Sequence, residues 1–124
     1  MGSHPINLAV RFLLEITGLV VLAMLGWFYG NGVYKYLLAL GFPLIAASLW
    51  GIFAVPGDPS RSGKAVVQVP GIVRLLLELA FFASATSSLF IVVNPVLAWV
   101  YGVMVLIHYL ASYDRIQWLI QQYP

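Results

Sequence analysis

The sequence predicts an all-α integral membrane protein with four transmembrane helices, formed by two tandem helical hairpins of parallel topology. Three observations predict it: an extreme apolar composition, four long apolar stretches separated by turn-forming residues, and a short charged motif that returns at a fixed offset.

Of 124 residues, 62% are hydrophobic and 8% are charged, where soluble domains carry about 25% charged residues. A domain this small must cover most of its surface with polar groups, and the chain lacks them. Its solvent is therefore predicted to be lipid. A net charge of +2 and a pI near 9.1 come from only six Lys and Arg residues that form no basic run, so no nucleic-acid partner is expected. The chain has no cysteine, which excludes disulfides, thiolate nucleophiles and iron–sulfur clusters. Met1, Gly2, Ser3 and His4 resemble residues left by cloning, and no role is assigned to them.

A hydrocarbon layer of about 30 Å takes roughly 20 helical residues to cross. Apolar stretches of that length run about 7 to 29, 33 to 55, 71 to 93 and 95 to 113. Between them stand Gly30-Asn31-Gly32, a longer segment beginning Pro56-Gly57-Asp58-Pro59, and Asn94-Pro95. The first stretch is too long for a cleaved signal peptide and is read as a retained span. Continuous apolar runs without period-two alternation exclude a β-barrel. The expected organisation is one domain over residues 1–124: repeat one at 7–55, a loop at 56–70, repeat two at 71–113 and a tail at 114–124.

With four spans, Arg11, Arg61, Lys64, Arg74 and Arg115 fall on one side and Lys35 alone on the other. The positive-inside rule then puts both termini and the middle loop in the cytoplasm. Trp27, Tyr29, Tyr34, Tyr36 and Trp99 are expected to form the outer aromatic belt, and Trp50, Tyr109, Tyr113 and Trp118 the inner one.

The repeat is carried by Val10-Arg11-Phe12-Leu13-Leu14-Glu15 and Val73-Arg74-Leu75-Leu76-Leu77-Glu78; the offset is 63 residues, from 11 to 74 and from 15 to 78. The same offset carries Asn31 onto Asn94 and Val33 onto Val96. Two-span copies have parallel topology, which puts the two Arg/Glu pairs at one depth. In each pair the residues are four apart and share a helix face, but Arg precedes Glu, the less favoured order. An arginine can snorkel toward headgroups, whereas a glutamate one turn deeper, roughly 10 Å into the span, requires a partner. Both glutamates are therefore expected to face the bundle interior. Arg11, Glu15, Arg74 and Glu78 form the candidate charge network, read as an interhelical clamp or, in the alternative, as a proton or ion site. His108, Tyr109 and Asp114 are candidate extensions of that network.

Small residues spaced by four, Ala80, Ser84 and Ser88 among them, predict close packing of the third helix on another. Gly41 and Pro43 predict a kink in the second. No phosphate loop, nucleophile elbow, catalytic triad or metal-ligand spacing is present, so no catalytic residue, metal or cofactor is expected.

Asn7-Leu8-Ala9-Val10-Arg11-Phe12-Leu13-Leu14-Glu15, the segment from Leu49-Trp50-Gly51 through Pro56-Gly57-Asp58-Pro59-Ser60-Arg61, and Arg74-Leu75-Leu76-Leu77-Glu78 together resemble the YrdB-like family of small bacterial membrane proteins. The resemblance spans nearly the whole chain, although repeat two opens with Pro70-Gly71 where repeat one has Asn7-Leu8. It implies a bacterial inner-membrane protein of four spans and brings no activity with it. The residues themselves point to a non-enzymatic protein acting through helix association, as a homodimer or as the partner of a larger membrane complex. A small proton-coupled transporter or channel using the Arg/Glu pairs is the alternative.

Overall fold

The structure, a computed structural model, describes residues 5–55 and 67–122. Its elements are α1 (Pro5–Tyr29), α2 (Tyr34–Ile52), β1 (Phe53–Ala54), β2 (Val67–Gln68), α3 (Gly71–Val92), α4 (Pro95–Ala111) and α5 (Tyr113–Ile120). The two strands are a two-residue parallel pair, with Phe53 opposite Val67 and Ala54 opposite Gln68. They join the ends of the segment between α2 and α3. Pro56–Gly57–Asp58–Pro59, Arg61 and Lys64 lie outside the described residues, as do residues 1–4.

α1, α2 and α3 are each long and apolar enough to cross a membrane; α4 with α5 would supply a fourth span if that pair, bent by 69° at Ser112, is counted as one. The sequence places the helices closely, but it reads residues 114–124 as a tail, whereas α5 turns back to pack on α3.

The breaks follow from turn chemistry. Asn94 caps α4 by accepting from the Leu97 amide at 2.8 Å, and Pro95 takes the first helical position, where an N–H has no partner to lose. Between α1 and α2, Gly30 N–H closes on Gly26 O at 3.0 Å and Tyr34 N–H on Asn31 O at 3.1 Å. Gly26 also sets how near the two helices come. A Cβ there would lie 2.2 Å from the Leu38 carbonyl oxygen, so only glycine permits this approach. Pro43 sits within α2, which continues as one helix through it.

α3 is the hub, packing on α1, α4 and α5. The core runs along its inner face through Leu75, Phe82, Ala85 and Leu89, and meets Leu14 and Val21 of α1 and Ala98, Tyr101 and Tyr109 of α4. Tyr101 reaches across to donate to the Leu14 carbonyl at 2.8 Å. The small-residue stripe of α3 divides: Ser88 is buried, while Ala80 and Ser84 face outward. The hydroxyls of Ser84, Thr86 and Ser88 each donate to a carbonyl four residues earlier, at 2.7 to 2.8 Å, so their protons are satisfied within their own helix. α2 buries none of its residues and leans mainly on α1.

The docking of α5 depends on Gly71. A Cβ at that position would stand 1.4 Å from the Leu119 carbonyl oxygen, and the Gly71 amide donates to Gln122 O at 2.9 Å. Gly71→Ala is therefore expected to cost about 1–3 kcal/mol as an overpacked contact and to accelerate hydrogen exchange over residues 113–120. Gly51→Ala, where an added Cβ meets nothing within 4 Å, serves as the control. It should be neutral or stabilising by up to about 1 kcal/mol. Equal exchange of α5 in the two variants would refute the docking role.

Candidate functional site: a carboxylate held by three arginines

Glu78 lies on the inward face of α3, and its side chain has no exposure. Four groups from four helices converge on it. Arg11 Nη2 of α1 stands 2.8 Å from Oε1. Arg74 Nε, one turn earlier on α3, donates to Oε2 at 3.0 Å. Arg115 Nη2 of α5 donates to Oε2 at 2.6 Å. The Tyr109 hydroxyl of α4 donates to Oε1 at 2.9 Å. Both oxygens thus have donors, the arrangement that a buried carboxylate requires. The Arg11 contact is an ion pair rather than an aligned hydrogen bond, because its N–H groups do not point along the line to the oxygen.

Arg11 also holds Glu15, Nε to Oε1 at 3.0 Å, and so connects both acids. Arg74 extends the network backward: its Nη1 donates to the carbonyls of Trp50 at 2.5 Å and Phe53 at 2.8 Å, at the end of α2. The Trp50 indole lies against both arginines, with the Arg74 guanidinium 4.5 Å and the Arg11 guanidinium 5.3 Å from its centroid. A cation over an indole face is attracted by its quadrupole. Trp50 and Tyr109, expected as interfacial anchors, are thus network members; Tyr113, Trp27, Tyr29, Tyr34, Tyr36 and Trp99 are exposed.

A second, neutral chain of contacts joins α1 to α4. Asn7 Nδ2 donates to Ser112 Oγ at 2.5 Å, which leaves Asn7 Oδ1 to accept from His108 Nδ1 at 3.1 Å. His108 Nε2 and Arg11 Nη1 are buried and have no hydrogen-bond partner among the described residues.

The structure thus brings Arg11, Glu15, Arg74, Glu78 and Tyr109 into one network, with His108 beside it through Asn7. Asp114 is exposed in the first turn of α5, at the edge. Glu78 faces inward with no exposure, and Glu15 does so in part, half-buried with its side chain 23% exposed. Arg115 was missed as a site residue because the tail reads as a cytoplasmic extension; the signal that could have found it is the pattern Ile116, Leu119, Ile120 in Tyr113–Ile120, which marks an amphipathic helix. Asn7 and Ser112 carried no signal beyond being polar next to apolar runs. No group of three or more His, Asp or Glu side chains suited to a metal occurs among the described residues.

Residues 9–106 match the model of a family described as "Protein of unknown function (DUF2568)". The chain belongs to this family. It is 41% identical over 116 residues, 94% of each chain, to the "Uncharacterized protein YrdB" of Bacillus subtilis (strain 168). No solved structure matches it. The chain is thus a YrdB-like protein of a family of unknown function, in agreement with the resemblance carried by its Arg/Glu motifs.

The geometry orders the expected costs of substitution. Glu78→Gln leaves three arginines facing a neutral amide and should cost about 3–5 kcal/mol, as breaking a buried ion pair does. Tyr109→Phe removes one donor to a charged acceptor and should cost about 1.5–3 kcal/mol. A double-mutant cycle of Arg11→Gln with Glu78→Gln should show coupling of at least the size of Arg11→Gln with Glu15→Gln. Thermal or chemical unfolding in detergent micelles reads all of these. Coupling confined to the Glu15 cycle would contradict the placement of Arg11 on Glu78.

Proposed function

We propose that this chain is a non-enzymatic protein of the bacterial inner membrane, with four spans and both termini cytoplasmic, that works by associating through its helices. It does so as a homodimer or as the partner of a larger membrane complex. The observation that carries this reading is the closure of the polar network: Glu78 has no exposure and spends both oxygens on groups of its own chain. A group so engaged holds helices together, whereas a conducted ion or proton needs a site that opens to water. Of the hollows that open on the surface, a largely apolar one is lined by Ala80 and Ser84 of α3 with Ile45 and Leu49 of α2. Small residues on an outward face let a second helix approach closely within lipid. The basic residues support the orientation, five on one side against Lys35 on the other. The partial exposure of Glu15 favours one alternative, a proton-coupled transporter using that acid.

Association is tested by fluorescence resonance energy transfer between labelled chains diluted into liposomes. Ala80→Leu and Ser84→Leu should weaken association at least tenfold while changing thermal stability by no more than about 0.5 kcal/mol, since both positions face outward. Proteoliposomes should show no proton flux above that of empty vesicles. Flux abolished by Glu15→Gln would replace this reading with the transport one. For orientation, single cysteines at Ser62 and Gly32 should label from opposite faces with an impermeant thiol reagent, and labelling of Ser62 from outside intact cells would reverse the topology.

A further inference from the structure

The 63-residue offset that relates the two Arg/Glu pairs also relates the groups around them, and there the two halves differ. It pairs Phe82 with Leu19, Tyr109 with Ala46 and Arg115 with Ile52. Around Glu78 the larger members close the site: Phe82 packs edge-on to Tyr109 at 5.9 Å between centroids, and Tyr109 and Arg115 donate to the carboxylate. Around Glu15 stand the smaller ones. Leu19 and Ala46 line a crevice of about 120 Å³ onto which Glu15 opens, bounded by Trp50, Gly51 and Phe81. The crevice shares Ala46, Trp50 and Phe81 with an apolar hollow of about 260 Å³. Together they reach the size class of small-ligand sites, roughly 300 Å³ and upward.

We propose that this crevice binds a lipophilic phenol, with its ring in the place that Tyr109 takes in the other half and its hydroxyl donating to Glu15. Two features support that chemistry. Glu15 has Arg11 Nε on Oε1, and an ionised carboxylate accepts several donors, so it has capacity for another. Next, the chain itself shows what completes a glutamate of this motif, since Tyr109 presents a phenol to Glu78 at 2.9 Å beside aromatic Phe82. The site opens to the membrane surface of the protein, where an apolar molecule arrives by way of the lipid.

The test measures saturable binding of radiolabelled 4-heptylphenol to single chains in lipid nanodiscs, with empty nanodiscs subtracted. One chain per disc makes the result independent of the association reading. One phenol per chain is expected. Its methyl ether, 4-heptylanisole, should compete at least tenfold more weakly, because it has the ring and the chain without the donor. Glu15→Leu removes the acceptor and should weaken binding at least tenfold. Ala46→Tyr should do the same by supplying a phenol from within the chain, and should raise thermal stability. Val100→Leu, in a hollow on another face, should leave binding unchanged. No saturable binding above empty nanodiscs overturns the proposal, as does equal competition by the anisole, an outcome that needs no variant to fold. Binding that persists in both Glu15→Leu and Ala46→Tyr would place the phenol elsewhere and overturn it as well.

Discussion

A carboxylate with no exposure fixes the arrangement of this protein. An uncompensated charge at such a site costs several kcal/mol, so Glu78 can be ionised and buried only if donors are delivered to both of its oxygens. The chain delivers them from α1, α3, α4 and α5. Because each donor comes from a different helix, satisfying the acid and packing the bundle are one condition. The same guanidinium that serves Glu78 from α3 also serves the end of α2, where Arg74 Nη1 takes the carbonyls of Trp50 and Phe53. The last carbonyls of any helix lack intrahelical partners, and away from water they must find others. Arg74 therefore ties in α2, the helix that buries nothing.

This explains the inverted order of the Arg/Glu pairs. On an isolated helix, Arg placed before Glu and close to the N-terminus is unfavourable locally. Here the arginines are positioned for Glu78 and for the α2 terminus, and the local cost is offset by contacts across the bundle. It also changes what the basic residues mean. Arg11, Arg74 and Arg115 are buried at 1% to 5% exposure and do not extend to headgroups, although their distribution still supports the orientation proposed for the chain.

Helix positions and the four charged residues were legible in the sequence because both depend on local information: apolar runs of spanning length, turn residues between them, and a spacing of four that puts two side chains on one face. The completion of the site was not legible. Tyr109 near the end of an apolar run reads as an interfacial anchor, and only the 69° bend after Ala111 reveals that the chain folds back and carries Arg115 to Glu78. Trp50 misleads in the same way, since its place in the sequence suits a headgroup anchor and its ring lies against two guanidinium groups and the rings of Phe81 and Phe82. The small-residue stripe shows a related limit. Spacing identifies a face of α3 but does not say which neighbour covers it, so Ser88 is buried while Ala80 and Ser84 are not.

The two glutamates share a motif and differ in environment, which separates two tasks that one buried acid could not combine. A carboxylate with four protein partners is held too firmly to exchange them, because each donor lost would leave an arginine or a phenol unpaired in an apolar interior. Glu78 is in that position. Glu15 is not: it shares Arg11 with Glu78, retains partial exposure, and faces Ala46 and Leu19 where the other half has Tyr109 and Phe82. None of the four contacts of Glu78 involves Glu15, so a change of partner at Glu15 leaves them in place. The asymmetry follows from the residues at three matched positions, Phe82 against Leu19, Tyr109 against Ala46 and Arg115 against Ile52, so a phenol at position 46 would be expected to give the open glutamate one of the two donors it lacks.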